Sequence, residues 1–425
     1  MTNLKQNIRH LFFPSLGIAF FIGALIHQTT IALSWGHDSW QITEWLINYQ
    51  GGFVRRGLPG ELIFRLSPII GVGANVTAVI LSLLIFFTIF ALLYVRVRNY
   101  FSVAFLLSPV VLGSAAYQNF IVRKDGLGVL CLILCLLASK KIKSSKFKFI
   151  TLNLISSIAI VSHESFIFFG IPAILIINTE VKKFRFTGYL RELFSTSLKL
   201  FPTFLIFCIT AYAHGTKETA FLINQSLLDL WFQVEPNNPC NCFSRPGGPI
   251  DALQWSTSQG LSLSKSLIHA YSYGIWVPLA WIITIVICFF ITINFYRETP
   301  ARLGLESNSM DRKSALITIL LFQLIVIFPL FVLGWDFGRW IFIWITSSIA
   351  FFAFNKESLP APLELFSKKI GWLSTLRFSS YKLNYWPLFF IGIPECCWSV
   401  YKLIQSMPVG YYIDWIHPNI ISFLK

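Results

Sequence analysis

Residues 72–95 read VGANVTAVILSLLIFFTIFALLYV, 24 positions without a charged side chain, closed by Arg96 and Arg98. About 20 apolar residues carry a helix across the hydrocarbon core of a bilayer, so this stretch reads as a membrane span with a basic stop. The pattern recurs on both sides of it. Leu11–Trp35 precedes it, behind Lys5 and Arg9. Phe101–Tyr117, Gly126–Ser139, Phe149–Ser162, Ser165–Thr179, Leu198–Gly215, Ile275–Phe295, Ser314–Trp335, Trp340–Asn355 and Tyr385–Val400 follow it. The runs are continuous rather than alternating, which excludes a membrane barrel. The fold expected is an all-α polytopic membrane protein with about eleven transmembrane helices, residues 1–425 forming one integral-membrane domain.

Composition agrees. Of 425 residues 55% are hydrophobic and 12% charged, against roughly 25% charged in soluble domains. A large water-soluble globule, a disordered chain and a disulfide-stapled module are thereby excluded. The net charge of +15 invites a nucleic-acid reading, but its distribution argues otherwise. With the N-terminus inside, inner segments hold 23 of the 34 Lys and Arg and seven of the 19 Asp and Glu, leaving +16 inside and −1 outside. Lys and Arg bias sets orientation. The short basic blocks suit anionic headgroups, so membrane lipids rather than nucleic acid are the expected contact. This map makes 36–71 the first outer loop, 216–274 a long outer loop and 356–384 a cytoplasmic loop. It places an interfacial helix at QITEWLINY (residues 41–49), with Ile42, Trp45, Leu46 and Tyr49 on one face, and another at KETAFLINQSLLDLWFQV (217–234).

Ionisable residues then collect on the outer side. Arms of 14 to 16 residues reach about 21–24 Å, short of the roughly 30 Å core, so charges at their turns lie deep. Charges at such depth mark a site. The turn NYQGGFVRRGLPGEL (48–62) offers Arg55 and Arg56, whose guanidinium groups suit a phosphate fork; the alternative is pairing with Glu61 or snorkelling to headgroups. Asp38 follows the first span as a general base, a metal ligand or a helix cap. In VRKDG, Arg123, Lys124 and Asp125 are either a second phosphate clamp or a self-neutralising triad. SHES places His163 beside Glu164, an acid–base unit or a hydrogen-bonded hairpin closure. GWDFGRW sets Asp336 and Arg339 three apart, a site pair or a simple intrahelical ion pair. Cys240 and Cys242 form an isolated C-x-C, weak as a metal site. No nucleotide-binding or hydrolase motif occurs.

This organisation resembles integral-membrane glycosyltransferases of the GT-C type, in which an acidic residue follows the first span and interfacial helices come next, as do Asp38 and QITEWLINY here. Within that group the chain looks most like bacterial surface-polysaccharide (O-antigen, capsule or exopolysaccharide) polymerases of the Wzy kind. The resemblance is architectural and covers most of the chain. It departs in having a single acid at Asp38 and no obvious catalytic cluster in the long loop.

The resemblance implies a multi-pass protein of the bacterial plasma membrane, N-terminus cytoplasmic, acting on a polyprenyl-diphosphate-linked glycan at the outer face. A chain-length regulator or flippase would be a partner. Arg55, Arg56, Arg123, Lys124, Asp125 and Arg339 would bind substrate, and Asp38, His163, Glu164 or Asp336 would carry the chemistry. No cofactor is implied, and metal dependence stays open. The competing classes are a transporter or flippase for lipid-linked or anionic cargo, which suits buried charges equally, and a non-catalytic scaffold, which would not need them.

Overall fold

A computed structural model describes residues 2–34, 40–118, 120–179, 186–235, 246–271, 276–297, 312–355, 358–375, 385–396 and 398–416. Among these residues there are helices and no strands. The helices are α1 (Thr2–Ser34), α2 (Trp40–Leu46), α3 (Leu58–Ile70), α4 (Ala74–Val97), α5 (Val103–Leu106), α6 (Gly113–Tyr117) and α7 (Asp125–Lys141). There follow α8 (Ser145–Ser162), α9 (Phe166–Asn178), α10 (Phe186–Lys199), α11 (Phe201–Tyr212), α12 (Lys217–Val234), α13 (Gly248–Asp251) and α14 (Thr257–Tyr271). The last are α15 (Trp276–Asn294), α16 (Arg312–Leu333), α17 (Phe337–Asn355), α18 (Ala361–Lys369), α19 (Val400–Gln405) and α20 (Pro408–Ile416).

Six helices are long and apolar enough to cross a membrane: Phe12–Ser34 of α1, then α4, α8, α15, α16 and α17. A seventh span arises if α10 and α11, bent by 63° at their junction, count as one. The chain is thus an all-helical, multi-pass membrane protein, but the expected eleven spans are not found. Four runs account for the difference. Phe101–Tyr117 contains only α5 and α6; Pro109 lacks a backbone donor and disfavours helix at Ser108. Tyr385–Val400 holds a short 3-10 turn (Trp386–Phe390), with Pro387 in its first turn, followed by described residues without helix, Pro394 among them, up to the start of α19. The other two are short helices, α7 with 17 residues and α9 with 13.

Two of these stretches, 101–117 and 385–400, still link the two ends of the bundle. Tyr100 O accepts from Arg297 N at one end, while Arg123 meets Glu44 at the other. Tyr385 Oη accepts from Arg297, whereas Glu395 reaches Arg123. Broken backbone of this kind survives inside a membrane protein where other protein, not lipid, surrounds it, and Phe101, Phe105, Val110 and Val111 are fully buried. The centre of the bundle is α17, every residue of which from Gly338 to Asn355 is buried.

Two outer-segment expectations fare differently. Residues 217–234 form a helix, α12, capped by Thr216 Oγ1 accepting from Thr219 N at 3.1 Å, with Ala220, Ile223, Leu227 and Leu230 on its buried face. The helix at QITEWLINY packs inside the protein. It shortens to α2, and Ile42, Thr43, Glu44, Trp45 and Leu46 are all buried within the protein. Its neighbour α3 instead shows Leu62, Leu66 and Ile69 on an exposed apolar stripe.

Candidate functional site

The turns between α2 and α3, α6 and α7, α8 and α9, and α16 and α17 converge on one end of the bundle, and backbone packing explains how. Gly60 sits against the α2 end so closely that a Cβ would stand 1.9 Å from Ile47 O, so only glycine fits there. That contact holds the Arg55–Arg56 turn against α2. Arg56 has φ 65, the one left-handed non-glycine residue among those described, a conformation costing about 1–3 kcal/mol that its surroundings must hold. Lys124 does so, donating to Arg56 O at 2.7 Å. Trp45 Nε1 and Ser82 Oγ both donate to Val122 O, fixing the peptide just before Arg123. At Gly338 of α17 a Cβ would lie 1.9 Å from Pro394 O. Its absence lets Gly338 N–H bond Glu395 O at 2.9 Å, which brings the C-terminal stretch to the site.

Charges meet here in a continuous network. Arg56 forks onto Glu164, with Nε 2.8 Å from Oε2 and 3.0 Å from Oε1, and its Nη1 reaches Glu44 Oε1 at 3.4 Å. Arg123 bonds Glu44 Oε2 (3.4 Å), Asp336 Oδ2 (3.4 Å) and Glu395 Oε1 (2.9 Å). Arg339 forks onto Asp125 at 2.8 and 2.9 Å and also pairs with Asp336. His163 Nδ1 accepts from Ser165 N at 3.3 Å, which puts the ring proton of neutral His163 on Nε2, facing Glu44 Oε1 at 3.4 Å. Five basic groups (Arg55, Arg56, Arg123, Lys124, Arg339) face five carboxylates (Glu44, Asp125, Glu164, Asp336, Glu395).

Burial and pairing set the protonation states. Burial would raise the Glu44 and Glu164 carboxyls; Arg123 and His163 around the first, and Arg56 around the second, outweigh it and hold both below the usual range. Burial of Asp336 is likewise outweighed by Arg339 and Arg123. Glu395 goes the other way: burial pushes it up to about 7, Arg123 only partly opposing. Burial lowers the Lys124 ammonium to about 7.

A cavity of roughly 310 Å³ opens onto this network, lined by Arg55, Arg56, Arg123, His163, Glu164, Asp336 and Arg339 together with Trp40, Phe168, Trp255, Leu261, Leu330, Trp335 and Trp340. Seven of the ten residues singled out in the sequence therefore face one cavity. Lys124 and Asp125 do not line it: both are buried behind it, holding Arg56 and Arg339 respectively. Asp38, with Cys240 and Cys242, lies outside the described residues. The expected partnerships are redistributed. Glu61 takes Arg65, Tyr49 N and Gln50, not Arg55 or Arg56. Asp125 pairs with Arg339 rather than within VRKDG, and His163 and Glu164 have separate partners. Asp336 and Arg339 do form their ion pair, but inside the larger network.

Glu44, at the network's centre, and Glu395 complete the site. A lone acid in each apolar stretch was their signal; Glu44 is wholly buried and Glu395 part-buried. Arg55 is the exception among the cations. Its guanidinium bonds only the Ala252 carbonyl, at 3.3 Å, and no carboxylate among the described residues. Asp336 keeps Oδ1 without a hydrogen-bond partner among the described residues. No group of three or more His, Cys, Asp or Glu side chains able to hold a metal occurs among the described residues.

Fold and site define an all-helical, multi-pass membrane protein with a charged cavity at one end of its bundle. Compared with protein-family models, curated proteins and solved structures, the chain matches none at a significant level.

Proposed function

We propose that the chain is a GT-C-like membrane glycosyltransferase of the bacterial plasma membrane, using a polyprenyl-diphosphate-linked sugar or oligosaccharide at the outer face to polymerise surface-polysaccharide repeat units. One observation supports this reading: the cavity surface presents four arginines against two carboxylates, and Arg55, unlike the other three, bonds no carboxylate among the described residues. A part-buried guanidinium held only by a carbonyl keeps donors free for an anionic ligand.

In the reaction the lipid diphosphate rests on Arg55, with Arg56, Arg123 and Arg339 held rigid around it by their carboxylate partners. Asp336 Oδ1 takes the proton of the acceptor hydroxyl as that oxygen bonds to the anomeric carbon. The bond from that carbon to the diphosphate oxygen breaks, and the departing charge is met by fixed guanidinium groups, which is electrostatic preorganisation. His163, locked between Ser165 and Glu44, donates rather than accepts on its Nε2 side.

The test is deletion of the gene in its host, with surface glycan and lipid-linked intermediates sized on a gel. Collapse of a long ladder to single repeat units, restored by wild type but not by Arg55→Ala or Asp336→Asn, is the expected result. An unchanged ladder with a defect in another exported solute would replace this reading with a transporter.

A further inference from the structure

Four tryptophans stand around the cavity: Trp40 and Trp255 on the outer segments, Trp335 and Trp340 at the α16–α17 turn. Their setting differs from that of Trp276 and Trp372, which are 69% and 63% exposed like rings of an interfacial belt. Trp340 is buried, and the Arg339 guanidinium lies 5.3 Å from its ring centroid. Its indole N–H has no hydrogen-bond partner among the described residues, an omission that costs free energy unless a ligand supplies an acceptor. Gly334, also on the cavity wall, keeps side-chain atoms away from that edge: a Cβ there would stand 3.3 Å from Cζ2 and 3.7 Å from Nε1 of Trp340. Trp255 is tied to the charged floor, because the carbonyl that Arg55 bonds belongs to Ala252, three residues before it.

Indole faces carry negative charge density and attract weakly positive C–H groups. A charged floor below supplies partners for hydroxyls. A quaternary ammonium would also stack on indoles, but four lining arginines against two carboxylates repel it. The ligand that fits is a neutral ring with one C–H face and a rim of hydroxyls. We propose that Trp255 and Trp335 form the stacking platform for a pyranose ring of the acceptor glycan, with the Trp340 N–H donating to one of its hydroxyls. This rests on the glycosyl-transfer reading and adds to it the place and chemical class of the second substrate.

The experiment uses the full chain in lipid nanodiscs with two probes. Binding of an oligosaccharide released from the host's own surface polysaccharide is read by saturation-transfer NMR, and binding of inorganic pyrophosphate by calorimetry. Wild type transfers saturation to the sugar-ring protons. Trp255→Ala and Trp335→Ala weaken oligosaccharide binding by about tenfold each, Trp335→Phe retains most of it, and the belt variant Trp276→Ala leaves it unchanged. Pyrophosphate binding survives in all four. Oligosaccharide affinity unaltered in both alanine variants overturns the platform. So does a wild type that binds pyrophosphate and no oligosaccharide, which leaves the anion site of the transfer reading standing. Tryptophan-dependent oligosaccharide binding without any pyrophosphate binding supports the platform and removes the lipid-diphosphate reading instead.

Discussion

Arg56 grips Glu164 with two nitrogens, Nε lying 2.8 Å from Glu164 Oε2 while Nη2 also takes Oε1, and this fork joins two turns 108 positions apart. Each side chain is about a quarter exposed. Loss of Arg56 strips Glu164 of its fork, and loss of Glu164 leaves Arg56 only the longer Glu44 contact at 3.4 Å; either change costs about 3 kcal/mol. Arg56→Ala and Glu164→Ala should each lower the unfolding free energy in detergent by about that amount, and the double variant by clearly less than their sum. Arg56→Lys should behave nearly as badly as alanine, because an ammonium cannot reproduce the fork. Additive single effects in the cycle would show that the pair does not act as one unit.

Arg55, one residue earlier, should respond in the opposite way. It bonds no carboxylate among the described residues, so Arg55→Ala should leave the Tm within a few degrees of wild type. A charge-assisted contact is worth about 1.5–3 kcal/mol, so the same change should weaken pyrophosphate binding at least about tenfold. Calorimetry beside a melting curve separates the two residues. A large loss of stability with unchanged pyrophosphate affinity would assign Arg55 to the scaffold.

How much of this site could be read beforehand follows from what each signal measures. Adjacent arginines in a glycine-rich turn, and ionisable residues at the turns of short arms, reported the cost of burying charge; seven such residues share the cavity. Hydropathy counted Phe101–Tyr117 and Tyr385–Val400 as spans because it measures avoidance of water. It cannot tell lipid-facing apolar residues from those buried among other helices, and Pro109, Pro387 and Pro394 decide the backbone there. Partner choice was illegible for a different reason. Asp125 has Arg123 and Lys124 beside it in sequence, yet pairs with Arg339, 214 positions away, and only the packing of α7 against α17 brings them together. Glu395 depended likewise on the bare Cα of Gly338.

Glu395 gives the cavity a pH dependence with a definite sign. Its carboxyl titrates at about 7 rather than near 4.5, facing Arg123, Asp336, Arg339 and Cys396. Below that pH it is neutral, and Arg123 has one fewer negative neighbour; above it the new charge lowers the potential felt by an anion. Pyrophosphate affinity should therefore fall as pH rises from about 6 to about 8. The folded state also holds a proton that the unfolded state releases between about 4.5 and 7, so this group makes the protein less stable as pH rises through that window. Glu395→Gln should flatten both trends. A pyrophosphate titration at several pH values with an undiminished slope in the variant would assign the dependence elsewhere.

Lys124 was a candidate phosphate ligand, and its geometry predicts a different phenotype. Its Nζ, fully buried, donates to the carbonyl of left-handed Arg56 at 2.7 Å, so it holds the turn rather than the ligand. A direct ligand replaced by Met would lose pyrophosphate affinity while keeping its Tm. A strap replaced by Met leaves Arg56 O without its donor, costing about 1–3 kcal/mol of stability, and should weaken affinity less than Arg55→Ala does. Titration tests the same assignment. Burial lowers the ammonium from 10.5 to about 7, so between those values the unfolded chain binds a proton that the folded one has released. Stability contributed through this group therefore rises with pH from about 7 to about 10.5. Lys124→Met should lower the Tm and remove that rise; a variant with wild-type Tm and unchanged pH dependence would show that the Arg56 turn needs no strap.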